Sequence, residues 1–162
     1  MSILTGLARL RDESLDHFLG GTIGYLCPAA SVDENLRHGI EIIQGLVGKR
    51  LTKLFGPQHG LTTDVQDNMV ETQDSLHPYY KLPIYSLYSS TRRPNDEMLK
   101  DVDTLVVDLQ DVGTRIYTYI STLFYIIEEC GKRGIKVVVL DRPNPVGGEI
   151  IEGNILDLKF RS

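Results

Sequence analysis

Residues 103–122 read DTLVVDLQDVGTRIYTYIST, and this stretch sets the fold class. Leu105, Val106 and Val107 form an unbroken apolar run, the pattern of a strand covered on both faces. Asp108, Gln110 and Asp111 follow where that strand should end. Gly113 gives the chain room to turn. Thr114 can cap a helix that the spacing predicts over 114–132. Ile116, Ile120, Leu123, Phe124 and Ile127 form the side of that helix expected to be buried. In an open α/β sheet, ligands collect at the carboxyl ends of strands. Three hydrogen-bonding side chains at such an end are therefore either a site or a set of caps.

The same alternation extends outward in both directions. Strands are expected at residues 22–27 (TIGYLC), 51–55, 82–88 (LPIYSLY) and 135–140 (IKVVVL), the last as a buried strand. Helices are expected at 3–19, with Phe18 near its apolar face, and at 34–46, where Ser31 or Asp33 supplies the cap and Leu36 starts the core side. A short helix begins after Asn95 and ends near Lys100. Strands alternating with helices imply right-handed crossovers and a mostly parallel sheet. The expected architecture is α/β, a Rossmann-like three-layer domain with about five strands. Residues 61–80 are polar and longer than most α/β connections, a length usual for functional or disordered loops.

Composition narrows the function classes. The chain has 162 residues, 41% hydrophobic and 24% charged, with a net charge of -5. A nucleic-acid binder would carry a basic footprint, so no nucleic-acid partner is expected. No apolar run approaches the ~20 residues of a membrane span. The N-terminus, MSILTGLARLRDESLDHFL, has no uninterrupted apolar core and reads as an amphipathic helix rather than a secretory signal. Cys27 and Cys130 lack CxxC spacing and are expected to be buried free thiols. No GxGxxG follows the first strand, so the loop that cradles a dinucleotide pyrophosphate is missing. GxxxxGK[ST] and GxSxG are absent too, which disfavours an NTPase and a serine hydrolase. No cofactor is expected. His59, Asp64 and Asp67 match no standard ligand spacing, so no metal is expected either.

Polar side chains gather at the ends of the expected strands. Gln58 and His59 follow the second strand, and Tyr85, Ser86 and Tyr88 end the third. Asp108, Gln110 and Asp111 follow the fourth, and Asp141, Arg142 and Asn144 follow the fifth. If the sheet is parallel, all share one edge. Each has a structural alternative. His59 can satisfy a turn. Asp108 and Asp111 can cap a helix or pair with Arg115. Asp141 and Arg142 can form an ion pair, and Tyr117 and Tyr119 can be core. Arg92 and Arg93 are either a solvated pair or a carboxylate grip.

Several longer blocks carry a family likeness. LFGPQHG (54–60), QDNMVE (66–71), PIYSLY (83–88), RRPNDEML (92–99), residues 101–122 and VVVLDRPNPVGG (137–148) followed by EGN (152–154) resemble the DUF1343 family. Its characterised members look like NamZ-type exo-acting β-N-acetylmuramidases of peptidoglycan recycling. The resemblance implies that residues 1–162 are a Rossmann-like N-terminal domain that bears the catalytic acid. Residues 150–162 would then begin a linker to a C-terminal α/β domain absent here. A muramyl saccharide or peptidoglycan fragment is the implied partner.

One departure bears on chemistry. The family's common motif reads GPEHG, whereas Gln58 stands at the glutamate position here, and an amide cannot transfer a catalytic proton. Glu71 is the expected substitute acid, with Asp108 or Asp111 as its partner; Asp64 and Asp67 are further carboxylates of the same segment. Gln58, His59, Gln110, Arg115, Asp141, Arg142 and Asn144 are the expected substrate-binding residues. The alternative is a muramyl-sugar-binding module without catalysis.

Overall fold

The computed structural model describes residues 3–63 and 71–160. Six strands form one sheet: β1 (Ile23–Leu26), β2 (Leu51–Gly56), β3 (Ser75–Leu76), β4 (Pro83–Ser86), β5 (Thr104–Val107) and β6 (Lys136–Val139), in the order β3-β4-β2-β1-β5-β6. Every pairing is parallel except β3 with β4. β3 is the strand that the sequence pattern does not show. Its two exposed residues lie inside the long polar segment, too short to carry a period of two.

The central strands are apolar throughout because both of their faces are covered. All four residues of β1 and all four of β5 are buried. Alternate side chains go to opposite layers. Tyr25, Leu54 and Val106 pack beneath α1 (Gly6–Asp12) and α2 (Gly39–Val47) through Leu7, Leu10, Ile40, Ile43 and Val47. Leu26, Phe55, Leu105 and Val107 pack against α3 (Asp96–Leu99) and α4 (Tyr119–Arg133) through Met98, Leu99, Tyr119, Ile126 and Cys130. The result is the expected three-layer α/β arrangement.

Several element boundaries differ from the expectation. The helix expected over 3–19 is two pieces. Thr5 caps α1, the backbone turns left-handed at Ser14, and a short 3-10 turn follows at Leu15–Phe18, leaving Phe18 half-exposed. The second helix starts at Gly39 rather than 34, because Leu36 has φ +60° and cannot continue a right-handed helix. Leu36 is consequently exposed. Asp33 is spent on the backbone N–H groups of Asn35 and Arg37 and on the guanidinium of Arg11, and His38 supplies the cap. Asn95 does cap α3, accepting from the Met98 N–H at 3.0 Å.

The largest correction concerns α4. It begins at Tyr119, and the face expected to be buried is largely exposed, with Ile116 at 87%, Phe124 at 56% and Ile127 at 50%. Tyr119, Thr122, Ile126, Glu129 and Cys130 face inward instead. Both stripes have helical spacing, and long-range polar tethers set the rotation. Glu129 meets Arg93, Lys132 and Arg133, while Arg133 also reaches Asp96. Hydrogen bonds from Lys132 and Arg133 hold the Glu129 carboxyl down to about 2. Gly134, at φ +67°, closes the helix by donating to Cys130 and Gly131 carbonyls. β6 is a half-exposed edge strand rather than a buried one, with β5 on one side only. Cys27 and Cys130 are buried free thiols.

One close approach locks the α2 layer to the sheet. A Cβ at Gly39 would lie 2.0 Å from the Tyr25 hydroxyl, which is itself fully buried. The rigid ring cannot retreat, so Gly39→Ala is expected to lower stability by about 1–3 kcal/mol, the usual cost of overpacking. Urea unfolding of the variant measures this directly.

Candidate active site

The parallel strands bring their carboxyl ends to one edge. The parallel order β4-β2-β1-β5-β6 reverses direction between β1 and β5, the point where open sheets of this kind leave a crevice. Here that crevice is filled. Asp108, with no exposed surface, receives Arg142 through Nε on one oxygen and through Nη2 on the other at 2.9 Å. The Tyr25 hydroxyl also donates to Oδ2 at 3.0 Å, and the Ser31 hydroxyl donates to the Asp108 carbonyl at 2.8 Å. Arg142 further reaches the Val32 carbonyl at 3.2 Å. Its hydrogen bond to Asp108 raises the guanidinium's affinity for its proton. Burial pushes the Tyr25 hydroxyl and the Cys27 thiol well up, so Cys27 lacks the thiolate character of a nucleophile. Burial lowers His38, whose Nε2 faces the Pro28 carbonyl while Nδ1 accepts from the Ile40 N–H.

The open space lies two strands away, around the end of β2. The GPQHG segment turns sharply there. The Gly60 N–H donates to the Pro57 carbonyl, and His59 and Gly60 take φ of +71° and +78°. A left-handed non-glycine residue such as His59 is sterically costly, a feature frequent at functional sites. A Cβ at Gly56 would stand 2.7 Å from the Leu61 nitrogen, so the loop folds back only because that position is glycine. Behind it is a cavity of about 310 Å³ lined by Gly56, Gly60, Leu61, Thr62, Glu71, Thr72, Gln73, Ser75, Ile84 and Ser86.

Glu71 stands on this lining and is exposed. Its neighbour Thr72 anchors it. Thr72 shares a hydroxyl–hydroxyl contact with Ser86, and its N–H donates to the Tyr88 carbonyl at 3.0 Å. Gln58 is half-buried, and its Oε1 accepts from the Thr118 hydroxyl at 2.6 Å. That contact joins the loop after β2 to the start of α4. With Oε1 engaged, the amide NH2 of Gln58 has no acceptor among the described residues.

The remaining candidate residues lace together the loops after β5 and β6. Gln110 donates to the Pro143 carbonyl at 2.8 Å, and Asp111 accepts from the Gly113 N–H at 3.0 Å. Asn144 accepts from the Val146 N–H, and Arg115 donates to the Asn154 carbonyl. Asp141 is exposed, and its carbonyl receives the Gly6 N–H. Neither Asp108 nor Asp111 pairs with Arg115, and Arg142 pairs with Asp108 rather than Asp141. Asp64 and Asp67 lie outside the described residues. Among the described residues no three His, Cys, Asp or Glu side chains converge as a metal site would require, and no helix is long and apolar enough to cross a membrane.

Thr118, Thr72 and Tyr25 border the candidate site and were not assigned to it by the sequence reading, whereas Ser86 was among the polar residues expected at this edge. Of the three, only Tyr25 had a visible signal, a hydroxyl-bearing side chain inside an otherwise apolar strand. Arg142→Met is expected to lower stability by about 3–5 kcal/mol by stranding Asp108 as a buried unpaired charge. In denaturant unfolding, the double variant Asp108→Asn/Arg142→Met should recover part of that loss.

Comparison with known proteins agrees with this architecture. The Bacillus subtilis (strain 168) protein named peptidoglycan β-N-acetylmuramidase NamZ is 41% identical over 160 residues, which cover 99% of this chain and 38% of that protein. Two crystal structures of DUF1343-family proteins from Bacteroides fragilis NCTC 9343 superpose on the chain. One has 38% identity and a TM-score of 0.86, covering 98% of this chain and 39% of the other. The second has 27% identity and a TM-score of 0.77, covering all of this chain and 40% of the other. The chain thus spans about two fifths of the length of these relatives. Residues 23–162 match the family model described as exo-β-N-acetylmuramidase NamZ, N-terminal, and the chain belongs to that family.

Proposed function

We propose that this chain supplies the acid-bearing half of a glycoside hydrolase site that removes β-linked N-acetylmuramic acid from the end of a peptidoglycan fragment. The observation that carries the reading is Glu71 on the rim of the cavity beside the GPQHG turn. Glycoside hydrolysis ordinarily uses two carboxyl groups, one to protonate the leaving oxygen and one to act as base or nucleophile. Glu71 takes the first role. Asp111, half-buried at the end of β5, takes the second. Asp108 has both oxygens engaged by Arg142 and Tyr25, and its part is to hold Arg142 at the floor of the cleft. Gln58 offers its amide N–H groups to the sugar, with Thr118 fixing which end of the amide faces inward. His59 flanks Gln58 in the turn. Gln110, Arg115, Asp141 and Asn144 would meet the more distant parts of the substrate. A C-terminal domain, implied by the greater length of the relatives, would form the opposite wall.

Release of N-acetylmuramic acid from a chromogenic β-muramide by the full protein tests this. Glu71→Gln should reduce turnover by about 10²–10⁴-fold, the range for loss of a general acid. An unchanged rate would remove Glu71 from the chemistry.

A second reading is favoured by the same amide at position 58: a domain that retains the sugar pocket and lacks turnover. It expects calorimetric binding of N-acetylmuramic acid without hydrolysis, and a gain of hydrolysis in Gln58→Glu. Robust turnover by the wild-type protein would exclude it.

A further inference from the structure

Arg92 and Arg93 are adjacent in the loop between β4 and α3 and have different surroundings. Arg93 lies over the Tyr125 ring, 4.2 Å from its centroid, and its Nη1 reaches Glu128 at 2.6 Å and Glu129 at 3.2 Å. Its charge is neutralised within the fold. Arg92 is exposed and has no carboxylate partner among the described residues. It is nevertheless held in place. The guanidinium carbon sits 3.6 Å from the Tyr88 ring centroid, and Nη1 donates to the Ser89 carbonyl at 2.6 Å.

Tyr88 connects this group to the candidate site. Its carbonyl accepts from the Thr72 N–H, and Thr72 follows Glu71 on the cavity wall. The Tyr88 N–H in turn donates to the hydroxyl of Ser86, another residue of that wall. Arg92 is therefore tied through Tyr88 to two residues of the cavity wall, an oriented cation in a chain of net charge -5. A planar guanidinium matches a carboxylate through two parallel hydrogen bonds. Stacking on a ring reduces the ordering that binding would otherwise require. Other arginines without a carboxylate partner are less suited. Arg50 donates to the Leu19 carbonyl, ahead of β1 at the opposite edge of the sheet, and Arg115 is engaged by Asn154.

We propose that Arg92, oriented by Tyr88, is the carboxylate receptor of this site and selects an acid-bearing amino sugar over its neutral N-acetylglucosamine counterpart. The inference rests on the proposed function and names the residue that reads the lactyl carboxylate of a muramyl substrate. Because Arg92 is exposed, the selection it provides falls as ionic strength rises.

Calorimetric titration of the full protein with N-acetylmuramic acid and with N-acetylglucosamine tests the assignment. The wild-type protein should prefer the acidic sugar by about tenfold or more, as expected for a hydrogen bond to a charged group. Arg92→Met should abolish that preference and leave the affinity for N-acetylglucosamine unchanged, which also serves as the check on folding. Arg92→Lys, which keeps the charge and loses the fork, should retain part of it. A preference that persists in Arg92→Met overturns the assignment while the proposed function stands. Wild-type protein that binds neither sugar overturns both.

Discussion

The bidentate contact between Arg142 and Asp108 is the interaction on which the carboxyl edge of the sheet depends. Asp108 follows β5 and Arg142 follows β6; Tyr25 of β1 donates to the same carboxylate, and Ser31, in the loop before α2, donates to the Asp108 backbone carbonyl. Four segments of chain are thereby fastened at one buried residue. A lone carboxylate in that position would be prohibitively desolvated, so Arg142 must come with it. Gly39 belongs to the same arrangement, because the space it leaves empty is where the Tyr25 hydroxyl stands.

This fastening has a consequence for where a ligand can go. The crevice between β1 and β5 is the usual opening in a sheet of this order. With Asp108 and Arg142 filling it, the accessible volume moves toward β2 and β4, where the GPQHG turn and the segment bearing Glu71 meet. The two regions are linked by the hydrogen bond from Thr118 to Gln58, which spans from the start of α4 to the loop after β2.

The strand positions were legible because parallel strands of such sheets are short continuous apolar runs, as at residues 105–107 in the buried β5 and 137–139 in the half-exposed edge strand β6. The rotation of α4 was not legible. Residues 116, 120, 123 and 127 repeat with helical spacing as well as residues 119, 122, 126 and 130 do, so periodicity alone could not choose. Glu129 with Arg93, Arg133 with Asp96 and Thr118 with Gln58 made the choice, and each pair is separated by more than thirty residues or fixed by such a contact. The start of α2 failed for a local reason: Asp33 satisfies the turn at Arg37 and delays the helix to Gly39.

By itself the sequence determined the α/β class, the burial of the central strands, the gathering of polar residues after them and the family likeness carried by the GPQHG, DLQDVGTR and LDRPNP blocks. These follow from local composition and order, which the chain carries without folding. Tertiary structure decided how those polar residues divide. Asp108 and Arg142 were drawn inward because burial demands that each charge have a partner, while Glu71 was left exposed on the cavity wall and Arg92 exposed on the Tyr88 ring. That division depends on which side chains meet across the fold, and one-dimensional spacing contains no record of it.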